Sequence, residues 1–156
     1  MGGGWAGRRP CANGSPYNLP IPTQPRTPVL HPNPDVIVLN IKQRYTGVSA
    51  TINALVPLQM HQWRLGYCGT TLSNGVEGMT AKQAITLSRQ PPPGRAFRIW
   101  HVRRDPEMML GIFARDVLRL PIKLVFTSAA QHLHGRFPRW LISKMDAVIS
   151  TTPLAA

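Results

Sequence analysis

The sequence predicts an α/β fold, a parallel sheet with helices on both faces, on three observations. Short β-branched runs alternate with stretches of helical periodicity from residue 35 onward. The strand candidates are near-continuously apolar, as strands buried on both faces are. Each pair of them is separated by enough residues for a crossover helix, and strand–helix alternation of this kind gives right-handed crossovers and a parallel sheet.

The elements follow in order. "DVIVLN" (residues 35–40) reads as the first buried strand. After the loop "IKQRYTG", the segment "VSATINALVPLQMHQW" places Val48, Ile52, Leu55, Val56 and Met60 at helical spacing, with Pro57 expected to kink that helix or end its first half. "RLGYCGTTL" is a weaker strand, "TAKQAITLS" a short helix and "RQPPPG" a rigid connector. "FRIWHV" (97–102) is a strand. It leads into "DPEMMLGIFARDVLRL", a helix with Asp105 as cap, Pro106 at the first position and Glu107 near the positive end of the dipole. Met109, Ile112, Phe113 and Leu120 are its expected buried stripe. "IKLVFTS" (122–128), "RFPRWLISKM" and "DAVIS" complete the series as strand, helix and strand, with Asp146 starting the last. The closing residues place Thr151 and Thr152 before Pro153, the signature of a new helix, with three residues to follow.

Residues 1–34 differ in kind. They hold eight of the 16 prolines and no Asp or Glu, so they read as an extended or disordered tail, within which a PxxP partner motif is one alternative. The 156 residues therefore divide into that tail and one domain, 35–156, with 43% hydrophobic residues to supply a core. Cys11 and Cys68 make no disulfide framework, which points to a reducing compartment. The start, "MGGGWAGRRP", lacks a signal peptide's apolar run, and no stretch is long enough to span a bilayer. The expectation is a cytoplasmic protein, soluble or peripherally membrane-associated.

Eighteen Lys and Arg against six Asp and Glu give a net charge of +12, which favours an anionic partner: nucleic acid, lipid phosphate or sugar phosphate. Ligands of parallel sheets bind outside the carboxyl ends of the strands, so the loops after Asn40, Val102, Ser128 and Ser150 carry the candidates. In the first, Gly47 with Thr46 and Ser49 at a helix start, and Lys42 and Arg44 beside it, fits an anion site, or equally a plain turn. In the second, His101 sits at a strand mouth, where a histidine is either a hydrogen-bonded structural group or a catalyst. Arg103 and Arg104 fit phosphate or carboxylate recognition, or a solvated basic turn. In the third, Ser128, Gln131, His132 and His134 read as polar groups over a cleft. No Cys, Asp or Glu completes a metal set around the two histidines, and no metal is expected. G-x-G-x-x-G and the Walker pattern are absent, and no pair of carboxylates stands out for acid/base work.

Three stretches, "NIKQRYTGVSATINALVPLQ", "WHVRRDPEMMLGIFARDVLRLPIKLVFTSAAQ" and "RFPRWLISKMDAVISTTPLAA", resemble the amino-terminal half of bacterial family-4 glycosyltransferases of GT-B fold, in particular the lipopolysaccharide core biosynthesis mannosyltransferases. The resemblance runs from Asp35 onward and is loose between Arg64 and Gly94. It implies a Rossmann-like acceptor-side domain, transfer with retention, no metal or other cofactor, and a nucleotide sugar donor, GDP-mannose, held by a second domain. By this resemblance the Gly47 loop faces the sugar and phosphate region, while His101, Arg103, Arg104, Ser128 and His134 line the acceptor side. His101 and His134 are the catalytic candidates; Lys42, Arg44, Gly47, Arg103, Arg104, Ser128 and Gln131 are the substrate-binding ones. The implied partners are an anionic lipid-linked saccharide acceptor, the inner-membrane surface and a separate donor-domain chain. The sequence is expected to be truncated before the donor domain and inactive alone, because a one-walled cleft cannot position two substrates. The other class is a basic α/β module holding nucleic acid or anionic membrane without catalysis. Aromatic residues at 7% and dispersed arginines provide no stacking platform for nucleic acid.

Overall fold

A computed structural model describes residues 31–41, 47–73, 75–128 and 135–151. Five strands, β1 (Val36–Asn40), β2 (Leu65–Gly69), β3 (Arg98–Val102), β4 (Ile122–Ser128) and β5 (Ala147–Ser150), form one sheet in the order β2-β1-β3-β4-β5. Every pairing is parallel, with Val36 beside Leu65 and Ile99, Arg98 beside Ile122, and Val125 beside Ala147. The helices between them are α1 (Gly47–Met60), α2 (Ala81–Leu87), α3 (Asp105–Ile112) and α4 (Arg136–Ser143). This is the expected Rossmann-like α/β architecture. The tail expectation for 1–34 falls almost entirely outside the described residues.

Strand alternation divides the core in two. Val38, Leu65 and Tyr67 pack with Ile52 and Val56 of α1 on one face. Ile37, Leu39, Trp100, Val102, Leu124 and Phe126 pack with Ala84, Met108, Ala114 and Leu141 on the other. Two-sided burial is why these strands carry unbroken apolar runs. β5 is the exception: all four of its residues are exposed, Val148 and Ile149 included.

Three local readings are corrected. Pro57 does not end α1, which continues to Met60; the missing N–H removes one bond near the last turn, and the residues beyond keep theirs. The cap of α3 is Arg104, with Asp105 the first helical residue and Pro106 next to it. Its buried stripe is Glu107, Met108, Gly111 and Ala114, while Met109 and Phe113 are about half exposed. Gly111 accounts for the rotation: a Cβ there would lie 2.7 Å from Leu124 Cδ2, so the helix seats its glycine against a buried leucine that any larger residue would have to displace. α3 then runs into a π-helical turn, Phe113–Val117, ended by Arg119 in the left-handed region at φ 52°.

Asp146 precedes β5 instead of starting it. Its carboxylate accepts from Leu124 N at 2.8 Å and Arg115 Nη1 at 2.9 Å, fastening the π turn to the edge of the sheet. At the amino end of β3, Arg98 is fully buried. Its Nε donates to Pro34 O at 2.8 Å, and its Nη groups reach the Leu87 and Gln90 carbonyls and Asn33 Oδ1. One guanidinium thus ties the segment before β1 to the end of α2, a use of paired donors that lysine cannot reproduce.

Candidate functional site

In this sheet the order in which strands are added reverses between β1 and β3, and the crevice outside their carboxyl ends is where ligands of such sheets bind. Here the crevice is filled by an arginine. Arg104 donates from Nη1 to Asn40 Oδ1 at 2.9 Å and from Nη2 to Ser49 Oγ at 3.0 Å, joining the end of β1 to the first turn of α1. Asn40 Nδ2 in turn donates to Tyr67 Oη at 3.0 Å, so β2 enters the same network. Below it lies Glu107, fully buried, 3.9 Å from Arg104 and accepting from Arg103 N at 2.9 Å. Glu107 is the third residue of α3 and reaches back over the helix start, as a capping carboxylate does. Burial pushes its carboxyl upward, while the Arg103 N–H and the Arg104 charge oppose that shift.

With the crevice occupied, the open space lies beside it, between α1, the β3–α3 loop and the end of β4. A cleft of about 440 Å³ is lined by Gly47 and Thr51, Arg103 and Asp105, Thr127 and Ser128, and Thr151. Arg103 is partly buried, its Nε without a hydrogen-bond partner among the described residues. Burial lowers its affinity for the proton, with Glu107 partly restoring it. Ser128 O accepts from both the N–H and the hydroxyl of Thr151 at 3.1 Å, which shapes the far wall. The cleft therefore sets one guanidinium, Arg103, and one carboxylate, Asp105, among several hydroxyls over the positive end of a 14-residue helix, a setting suited to a hydroxyl-rich ligand whose negative charge lies on the Arg103 side.

His101 stands behind the cleft. Its Nε2 is 2.7 Å from Thr127 Oγ1, and burial first, then Arg103, lower its pKa to about 4. It is a neutral imidazole at pH 7, fixing one hydroxyl of the wall.

The structure thus brings Gly47, Arg103 and Ser128 to one cleft, puts His101 one side chain behind it, and turns Arg104 into the fold. Lys42, Arg44, Thr46, Gln131, His132 and His134 lie outside the described residues. Sequence reasoning missed Asn40, Tyr67, Thr51 and Thr127, placed Ser49 at an anion-binding helix start where the structure gives its hydroxyl to Arg104, and read Glu107 only as a favourable helix-dipole charge. Glu at the third helical position was the one available signal for its capping role.

Among the described residues no helix is long and apolar enough to cross a membrane. The chain is similar to the lipopolysaccharide core biosynthesis mannosyltransferase LpcC of Rhizobium leguminosarum bv. viciae, with 44% identity over 122 residues. It is also similar to the lipopolysaccharide core biosynthesis mannosyltransferase LpsB of Rhizobium meliloti (strain 1021), with 40% identity over 119 residues. Each match covers 76% of this chain and 34% of the relative, so the match spans about a third of the length of these curated relatives. No family model and no solved structure matches the chain.

Proposed function

We propose that this chain serves lipopolysaccharide core biosynthesis as the acceptor-binding part of a retaining mannosyltransferase of the GT-B type. The similarity at 44% and 40% identity to two proteins bearing that name is the observation that carries the reading. The cleft supports it in kind: Arg103 offers a guanidinium to a carboxylate or phosphate, and Thr51, Thr127 and Ser128 offer hydroxyls to sugar oxygens. His134 remains a proposed catalytic group, while His101, behind the cleft, is proposed as a positioning residue. His101, uncharged and held by Thr127, is placed to orient the wall and not to carry a proton at neutral pH. Lys42, Arg44 and Gln131 are proposed to extend the same anionic surface. The donor, GDP-mannose, is proposed to bind the part of such an enzyme that this sequence does not span.

Work at the cytoplasmic face of the inner membrane follows from a lipid-linked acceptor. α4 supports it: Phe137 and Trp140 are half exposed and stacked at 6.1 Å, with Lys144 over the indole at 6.0 Å and Arg136 and Arg139 exposed beside them. Aromatic rings ringed by basic groups suit an anionic headgroup layer.

The test is mannosyl transfer from GDP-mannose to a lipopolysaccharide core acceptor. The chain alone is expected to give none, and the chain mixed with the part of the R. leguminosarum relative that it does not span is expected to give product. Transfer by the chain alone would overturn the acceptor-part reading, and no transfer by the mixture would count against the enzyme reading.

A further inference from the structure

Two acids stand in the first turn of α3, and the structure separates their work. Glu107 turns inward: it is fully buried and accepts from Arg103 N at 2.9 Å, so it serves the helix start that Asp105 was expected to cap. Asp105 is left over. It is the first helical residue, not the cap, and among the described residues its carboxylate has no hydrogen bond and no ion pair. It is partly exposed, and it lines the cleft of about 440 Å³ two residues from Arg103, so its oxygens are open to whatever enters there.

A carboxylate beside the cleft's one guanidinium narrows what the cleft takes. A compact anion such as phosphate gains from Arg103 and loses against Asp105. An ammonium offered to Asp105 must come to the amino end of α3, between Arg103 and the helix dipole, where the local charge is positive. Neutral O–H donors meet neither penalty. The hydroxyls of Thr51, Thr127 and Ser128 can each give or take a hydrogen bond, whereas a carboxylate only accepts, so Asp105 is the lining side chain that demands donors. Two hydroxyls on adjacent ring carbons supply them to its two oxygens. We propose that Asp105 is a specificity-determining residue of this cleft, accepting from a pair of neighbouring hydroxyls on a saccharide whose negative charge lies against Arg103. This rests on the acceptor-binding reading above and adds to it which side of the saccharide is acid and which is neutral diol.

The sign of one substitution tests it. D105N removes a negative charge and no hydrogen bond of the fold, so a merely solvated Asp105 would make every anion bind D105N as tightly or more so. Calorimetry on the full chain, D105N, D105E and R103A uses three probes: a deacylated lipopolysaccharide core oligosaccharide, inorganic phosphate and phosphoethanolamine. The oligosaccharide is expected to bind D105N about tenfold more weakly, one charge-assisted hydrogen bond being lost, while phosphate loses nothing. D105E keeps the charge at the helix start and is expected to recover part of the loss. Oligosaccharide binding that weakens in R103A but is equal or tighter in D105N overturns this inference and leaves the acceptor reading standing. An equal loss for phosphate, or for phosphoethanolamine, also overturns it, by assigning Asp105 to the fold or to an ammonium. No binding of the oligosaccharide by the unsubstituted chain overturns both.

Discussion

Arg104 Nη1, at the start of α3, donates to Asn40 Oδ1 at 2.9 Å, across the point where the strand order reverses between β1 and β3. An arginine written into a candidate binding loop is thereby a strut of the fold, with Ser49 and the buried Glu107 as its other partners. Glu107 is fully buried 3.9 Å from this guanidinium, and removing the guanidinium leaves that carboxylate without its countercharge and Asn40 and Ser49 without their donor. R104A should therefore lose about 3 kcal/mol of stability in urea denaturation, with R104K recovering less than half because an ammonium cannot span Asn40 and Ser49 together. A loss below about 0.5 kcal/mol, the size of an exposed pair, would refute this role.

The contact of Gly111 with Leu124 makes a packing prediction. G111A places a methyl where Leu124 already is and should cost about 2 kcal/mol. Shortening the neighbour should relieve part of it, so the G111A/L124V double variant is expected to lose less than the sum of the single losses. Strict additivity in thermal melts would show that the two residues do not touch.

His101 gives a pH dependence of defined sign. Its pKa is about 4 in the folded chain against 6.5 for a free side chain, so between these values the unfolded state binds the extra proton. Its contribution is complete above pH 6.5 and is lost as pH falls toward 4, by at most about 3 kcal/mol. Stability measured at pH 7 and pH 4.5 should fall less in H101Q than in the unsubstituted chain. An equal fall in both would place the titration elsewhere.

The exposed aromatic face of α4 predicts binding to vesicles that contain anionic lipid and none to purely zwitterionic ones. The joint F137S/W140S variant should abolish it, and raised salt should weaken it. Unaltered sedimentation of that variant with anionic vesicles would reassign the interaction to charge spread over the rest of the surface.

The parts of this fold visible in the sequence are those where one period dominates. β4 is Ile122–Ser128 as its apolar run indicates, and β1, β3 and β5 fall within a residue of their patterns, whereas β2 ends at Gly69, three residues short of its weaker stretch. The stripe of α3 was misplaced because periodicity weighs apolar side chains, whereas the packed face holds a glycine chosen for its absence of bulk and a glutamate used as a cap. The cleft was legible as a location, since loops after parallel strands are where the sheet leaves room. Which of two adjacent arginines faces that room was not: Arg103 and Arg104 differ only in the partners that Asn40, Ser49 and Glu107 supply, and those come from strands and helices distant in sequence. Arg98, fully buried, gave no sign for the same reason.

Arg103 is therefore the residue on which the proposed function rests most directly. The decisive measurement is the affinity of the full chain for a deacylated lipopolysaccharide core oligosaccharide, compared with that of R103A at matched folded stability. Binding that weakens about tenfold or more in R103A is the predicted result, one charged hydrogen bond being lost from the cleft. Equal binding by R103A, or no binding by the unsubstituted chain, would contradict the assignment of this cleft to the acceptor.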